Sequence, residues 1–189
     1  MSISIVWQVL YCAWVLTEIW VLITTYTRSS GGSVRDRGSL ILLWVVIFSS
    51  ICVGTEIGHT RPHTIFGGAD WVRVVSIALM AIGIAIRWTA IMTLGKSFSV
   101  NVAIHAKQTV IRTGIFRYVR HPSYTGLLVI FAAMGVHTRN WEALALMTLP
   151  SVAALLYRIH VEEIALNEAF GADYADYSKS TRRLIPGVY

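Results

Sequence analysis

Charge is scarce in this chain. Only 14% of its 189 residues are Asp, Glu, Lys or Arg, and 55% are hydrophobic. A soluble domain carries about 25% charged residues, so this composition excludes an ordinary soluble globule and points to a lipid surround. Cysteine is nearly absent. Cys12 and Cys52 stand in apolar runs and form no CxxC pair, which argues against a metal centre or disulfide framework and reads as buried structural thiols. A basic leader is missing too: Met1 to Ile5 holds no Lys or Arg, so the first apolar run reads as a span and not as a cleavable signal. Acidic residues are missing from Gly95 to His121, which holds Lys96, Lys107, Arg112, Arg117 and Arg120. There is no internal repeat, no low-complexity tract and no glycine-rich dinucleotide fingerprint after a strand. An oxidoreductase on a similar helical scaffold therefore lacks positive support, although membrane reductases do not require that fingerprint.

What is present is long apolar runs. A crossing needs roughly 20 mainly apolar residues. Ile3 to Tyr26, Leu40 to Ile57 and Trp71 to Leu94 qualify. Ser123 to Val136 is short and Trp141 to Tyr157 moderate, and the turn His137-Thr138-Arg139-Asn140 between them predicts an antiparallel helical hairpin. A re-entrant hairpin that never reaches the far side is the competing form. The expected fold is all-α: one polytopic membrane domain over residues 1–189, with about five transmembrane helices. Residues 1–94 would supply three of them, and residues 95–189 a catalytic half of loop, hairpin and tail helix. The first loop holds Arg28, Arg35 and Arg37 against Asp36. The positive-inside rule then assigns both basic loops and the C-terminal region to the cytoplasm, and the N-terminus to the outside. The net charge of +6 is accounted for by those loops, with no nucleic-acid partner. Most of the seven tryptophans lie near span ends, as interfacial anchors do.

Glu18 and Arg87 stand well inside otherwise apolar segments. Ionisable residues in a span face a partner or a cavity, so the two are expected to pair, with a cavity role or snorkelling of Arg87 as alternatives. His59 and His63 flank Arg61-Pro62 and read as loop residues, not metal ligands. The tail from Val161 to Tyr177 has a helical pattern that places Phe170, Tyr174 and Tyr177 on one face. Pro186 and Gly187 are expected to end the ordered chain.

Chemistry concentrates in two clusters. In Gly114-Ile-Phe-Arg-Tyr-Val-Arg-His-Pro-Ser-Tyr-Thr-Gly126, Pro122 suits the first turn of a helix. This puts Arg120 and His121 at a helix N-terminus, which favours an anion; a plain positive-inside anchor is the alternative. In Arg158-Ile-His-Val-Glu-Glu163, Arg158 and Glu162 share a helix face. They would form either an i, i+4 ion pair worth tenths of a kcal/mol or a pocket wall of mixed charge. In such a wall a Glu would bind a cationic group and Arg158 a carboxylate.

Taken in order, Arg120-His121-Pro122-Ser123-Tyr124-x-Gly126 and Arg158-x3-Glu162-Glu163-x2-Leu166-x3-Phe170-Gly171-x2-Tyr174-x2-Tyr177 resemble the isoprenylcysteine carboxyl methyltransferase family. Phospholipid methyltransferases share a looser form of the pattern. The resemblance covers Gly95 to the end, and the chain's size suits a prokaryotic member. It implies a membrane enzyme, in the cytoplasmic membrane of such a cell. S-Adenosylmethionine would enter from the cytosol, and a lipidic small molecule or lipid-modified substrate would arrive through the bilayer. It implies that Gly114, Phe116, Tyr118, His121, Pro122, Glu162, Glu163 and Tyr174 bind the cofactor, and that Arg120, Arg158 and Glu163 serve catalysis, the arginines by orienting a carboxylate. A phospholipid or amine N-methyltransferase is the runner-up. A non-catalytic membrane protein is the other alternative; a transporter would show paired half-repeats or broken helices near the midplane, whereas these motifs gather at one interface.

Overall fold

The structure is a computed structural model that describes residues 2–25, 32–34, 38–62, 64–101, 103–105 and 109–187. Arg28, Arg35, Asp36, Arg37, His63 and Lys107, named above, lie outside the described residues.

Helices dominate: α1 (Ile3–Thr25), α2 (Ser39–Thr60), α3 (Trp71–Leu94), α4 (Pro122–His137), α5 (Trp141–Phe170) and α6 (Ala172–Ser180). The all-helical expectation needs one small amendment. Gly32–Val34 (β1) and Ala103–His105 (β2) pair antiparallel, so the two basic loops meet at one end of the bundle. Four helices, α1, α2, α3 and α5, are long and apolar enough to cross a membrane. The fifth expected span, α4, has 16 residues. At 1.5 Å per residue it reaches about 24 Å, short of a hydrocarbon core of roughly 30 Å.

The hairpin between α4 and α5 forms as the sequence implies. Arg139 takes the left-handed conformation (φ 59°), and the Asn140 side chain caps α5 by accepting from the Glu142 and Ala143 N–H groups. At this far end Arg61 pairs with Glu142, and the Arg139 carbonyl accepts from the Thr64 and Ile65 N–H groups. α5 departs from expectation by running unbroken for 30 residues to Phe170. No new helix starts at Val161. The break falls at Gly171, at φ 52°, a conformation that favours glycine.

α3 packs along α4 and α2 along α5, whereas α1 rests mainly on α3. The α3–α4 approach is very close. A Cβ placed on Gly126 would sit 2.7 Å from the Gly83 carbonyl oxygen and 2.8 Å from the Arg87 nitrogen. The glycine of the motif is therefore a packing requirement between two backbones. The core between the helices holds Trp14, Ile47, Met80, Ile130, Phe131 and Leu155. Trp14 is the exception among the tryptophans read as anchors: it lies mid-helix, edge-on to Phe131 at 6.3 Å. Cys12 and Cys52 are exposed, not buried. In a membrane bundle the outer surface is itself apolar, so an apolar run does not imply burial.

Candidate functional site

α4 begins at Pro122, whose missing N–H costs nothing at a helix start. The preceding Arg120 and His121 are fixed by the segment that follows α6, residues 181–187, which forms a strap. The Arg120 N–H donates to the Arg182 carbonyl at 2.7 Å, and that of His121 to the Arg183 carbonyl at 3.0 Å. The Arg120 guanidinium donates to Glu163 Oε1 at 3.0 Å, to the Ser178 carbonyl at 2.8 Å and to the Thr181 carbonyl at 2.6 Å. Glu163 also accepts from Arg183 at 2.8 and 3.0 Å. His121 lies 3.4 Å from the same carboxylate. This ionic knot ties α4, α5 and the strap together.

One turn earlier on α5, Arg158 is 1% exposed. Its Nε donates to the Tyr124 hydroxyl at 3.1 Å, its Nη1 to Ser39 Oγ at 2.8 Å, and its Nη2 to the Val100 carbonyl. The Tyr124 hydroxyl in turn donates to Glu162 Oε2 at 2.7 Å. Arg158 and Glu162 thus meet through a phenol, the third arrangement beside the direct pair and the open pocket wall. Deeper still, Arg87 holds Glu18 through two nitrogens and donates to Ser123 Oγ at 2.6 Å. The expected pair forms, and it is buried.

Side chains from all of the helices, α1 to α6, and from the 94–121 loop line one cavity. Its outer part is walled by Phe116, His121, Glu162, Phe170, Tyr174 and Tyr177. The three tail aromatics stay together there even though Gly171 interrupts their helix. Arg158 and the Glu18–Arg87 pair stand at its middle. Its inner part, lined by Trp14, Leu43, Trp44, Ile47 and Phe131, is apolar. Of the residues singled out from the sequence, Arg120, Arg158, Phe116, His121, Pro122, Glu162 and Tyr174 line this cavity. Gly114, Tyr118 and Glu163 do not. Gly114 provides a positive-φ turn (58°) ahead of a 3-10 turn, Gly114–Arg117. Tyr118 points outward, 56% exposed, under the Arg117 guanidinium. Glu163 faces the knot instead. Sequence reasoning assigned no role to Tyr124, although the motif contains it, and Ser39, Val100 and Arg183 carried no signal at all.

Two tyrosines outside the spans are perturbed by burial. Tyr177 donates to the Phe116 carbonyl at 2.7 Å. Burial pushes its hydroxyl up to about 12, with Arg120 and Arg112 pulling it back. Tyr174 is raised by burial and by Glu163 and Glu162. Its hydroxyl is buried without a hydrogen-bond partner among the described residues.

Comparison with known proteins agrees with the motif resemblance. The model of the isoprenylcysteine carboxyl methyltransferase (ICMT) family matches residues 76–168. Protein-S-isoprenylcysteine O-methyltransferase A of Arabidopsis thaliana is 30% identical over 120 residues, which are 62% of this chain and 61% of that protein. The Tribolium castaneum protein-S-isoprenylcysteine O-methyltransferase is 28% identical over 62% of this chain and 43% of its own length. A solved structure of the eukaryotic intramembrane Ras methyltransferase ICMT shares the fold with a TM-score of 0.60 and 24% identity, covering 79% of this chain and 51% of that one. The chain thus spans less than two thirds of the curated relatives it matches. Over residues 76–168 it carries the family's pattern, and it is an integral membrane protein of that helical fold.

Proposed function

We propose that this protein is an S-adenosylmethionine-dependent membrane methyltransferase that O-methylates the carboxylate of a lipidic or isoprenylcysteine-like substrate. One observation carries the reading: a single cavity joins an aromatic, acidic outer part to an apolar inner part, with a buried arginine between them. The residues fit the cofactor chemically. The Glu162 carboxylate, 30% exposed, suits an ammonium or sulfonium; the aromatic walls suit a purine ring; and the Tyr174 hydroxyl is an orphaned buried polar group beside them. When bound, S-adenosylmethionine would supply a methyl group on a sulfonium sulfur that departs as a neutral thioether.

The chain's own residues supply position. An acceptor carboxylate is already a nucleophile at neutral pH, so it needs orientation more than a base. Arg158, fixed by Tyr124, Ser39 and Val100, presents a rigid cation beside the acceptor without being free to follow it. Arg120 reaches the acceptor only by yielding a strap carbonyl. With the cofactor bound, a carboxylate oxygen would take the methyl carbon as the carbon–sulfur bond breaks, and the product would be a methyl ester. Holding two groups in line while the aromatic tail excludes water contributes several kcal/mol. The apolar inner part would take the hydrocarbon of the substrate.

His121→Ala and Glu162→Gln should each weaken S-adenosylmethionine binding by about 1–3 kcal/mol, the worth of a charged hydrogen bond. Calorimetry on solubilised protein would measure this, and unchanged affinity in both removes them from the cofactor site. Products decide the reaction class: a methyl ester is cleaved by mild base, whereas base-stable methylation would promote the N-methyltransferase alternative.

The site end is proposed to face the cytoplasm and the start of α1 the opposite side, by the positive-inside rule. In a background lacking the exposed Cys12 and Cys52, single cysteines at Ser178 and Arg61 should label from opposite sides of sealed vesicles, Ser178 from the cytoplasmic one. Labelling of Ser178 from outside overturns this orientation.

A further inference from the structure

We infer that Tyr124 is a positioning residue whose hydroxyl holds the basic and acidic halves of the cavity apart. Arg158 and Glu162 lie four residues apart on one face of α5, the spacing at which opposite charges pair directly. Here one oxygen atom stands between them, accepting from Arg158 Nε at 3.1 Å and donating to Glu162 Oε2 at 2.7 Å. A phenol can do both at once, because it carries one donor and two acceptor lone pairs.

The ring cannot move out of the way. It belongs to the first turn of α4 and stacks on His121 at 5.6 Å with 13° between the planes. Arg158 is fixed as well, through Ser39 on α2 and the Val100 carbonyl. Glu162 is the movable member: it is partly exposed, and its basic neighbour His121 Nδ1 lies 3.8 Å away. Without the hydroxyl, Glu162 loses its donor and Arg158 Nε its acceptor across the same narrow gap. The least costly repair for a buried cation is for Glu162 to swing onto Arg158. The carboxylate would then be spent inside the wall, and neither charge would serve a ligand. Tyr124 thus keeps two opposite charges usable within one hydroxyl of each other, one for a cationic group and one for an anionic group.

Two experiments test this, and only the second rests on the methyltransferase reading. First, Glu162 in solubilised protein is modified with a carbodiimide and its labelling rate is read by peptide mass spectrometry. In Tyr124→Phe the rate should fall severalfold, because an ion-paired carboxylate is shielded. A ring hydroxyl that merely braced the site would leave Glu162 looser, so faster or unchanged labelling overturns the inference. Second, Tyr124→Phe should weaken S-adenosylmethionine binding by about tenfold, near the worth of one charged hydrogen bond. Adding Arg158→Met should restore most of that loss, because nothing remains to capture Glu162. Absence of rescue in a folded double variant counts against the inference. Failure of the unaltered protein to bind the cofactor counts against the methyltransferase reading, and the labelling rates then decide the role of Tyr124 alone.

Discussion

At the far end of the bundle Arg61 pairs with Glu142, and the two side chains are 55% and 56% exposed. At the site end Arg87 pairs with Glu18, and the exposures are 7% and 9%. The chemistry is the same and the surroundings are opposite. The exposed pair can be lost to water at little cost, since such pairs contribute about 0–1 kcal/mol. The buried pair cannot, because a lone charge left behind has no water to replace its partner. The ends of this bundle therefore do different work. The far end closes a turn with a helix cap, backbone hydrogen bonds and replaceable surface charges, while the site end stores charge where lipid and protein would otherwise exclude it.

The largest effect should come from Arg87→Met, which leaves Glu18 buried alone and should cost about 3–5 kcal/mol of stability. Thermal unfolding in detergent checks this, and combining it with Glu18→Leu should recover most of the loss. Failure of the second change to recover anything would mean that the pair matters for something beyond its mutual charge. Arg158→Lys comes next. It keeps the charge but cannot span Tyr124, Ser39 and Val100 at once, so kcat/KM for methyl transfer should fall at least tenfold, about 1.4 kcal/mol, with cofactor affinity little changed. Full activity with lysine would mean that no planar fork is needed there. Smallest is Arg61→Ala, which should change stability by less than about 1 kcal/mol. A larger loss in the same unfolding assay would erase the contrast between the two ends.

How far each end could be read in advance follows from the range of its interactions. The hairpin turn, the Pro122 helix start and the clustering of Arg120 and His121 are local in sequence, and each was legible. So was the Glu18–Arg87 pair, because two stray charges in apolar helices have few places to go. Ser39 and Val100 were not legible as Arg158 partners, since a serine and a carbonyl look alike wherever they occur. The hold on Arg120 was hidden for the same reason: it comes mainly through the backbone carbonyls of Ser178, in the last turn of α6, and Thr181, just beyond it. The end of α5 was misplaced because charge rises at Arg158 while helix propensity does not fall until Gly171. Glu163 was expected in the cofactor wall because adjacent glutamates look equivalent on paper. A helix turns them about 100° apart, and one faces the cavity while the other faces Arg120 and Arg183.

The contact between Gly83 and Gly126 also bears on how the cavity fills and empties. With their backbones touching, α3 and α4 cannot slide or rotate against each other without a clash, so Arg87, Ser123 and Tyr124 ride on one rigid body. Any breathing that admits a bulky hydrocarbon must then be taken up elsewhere, by α1, which leans mainly on α3. A larger residue at position 126 would act on the protein as a wedge, prising α3 from α4 and pushing on the backbone that carries Arg87.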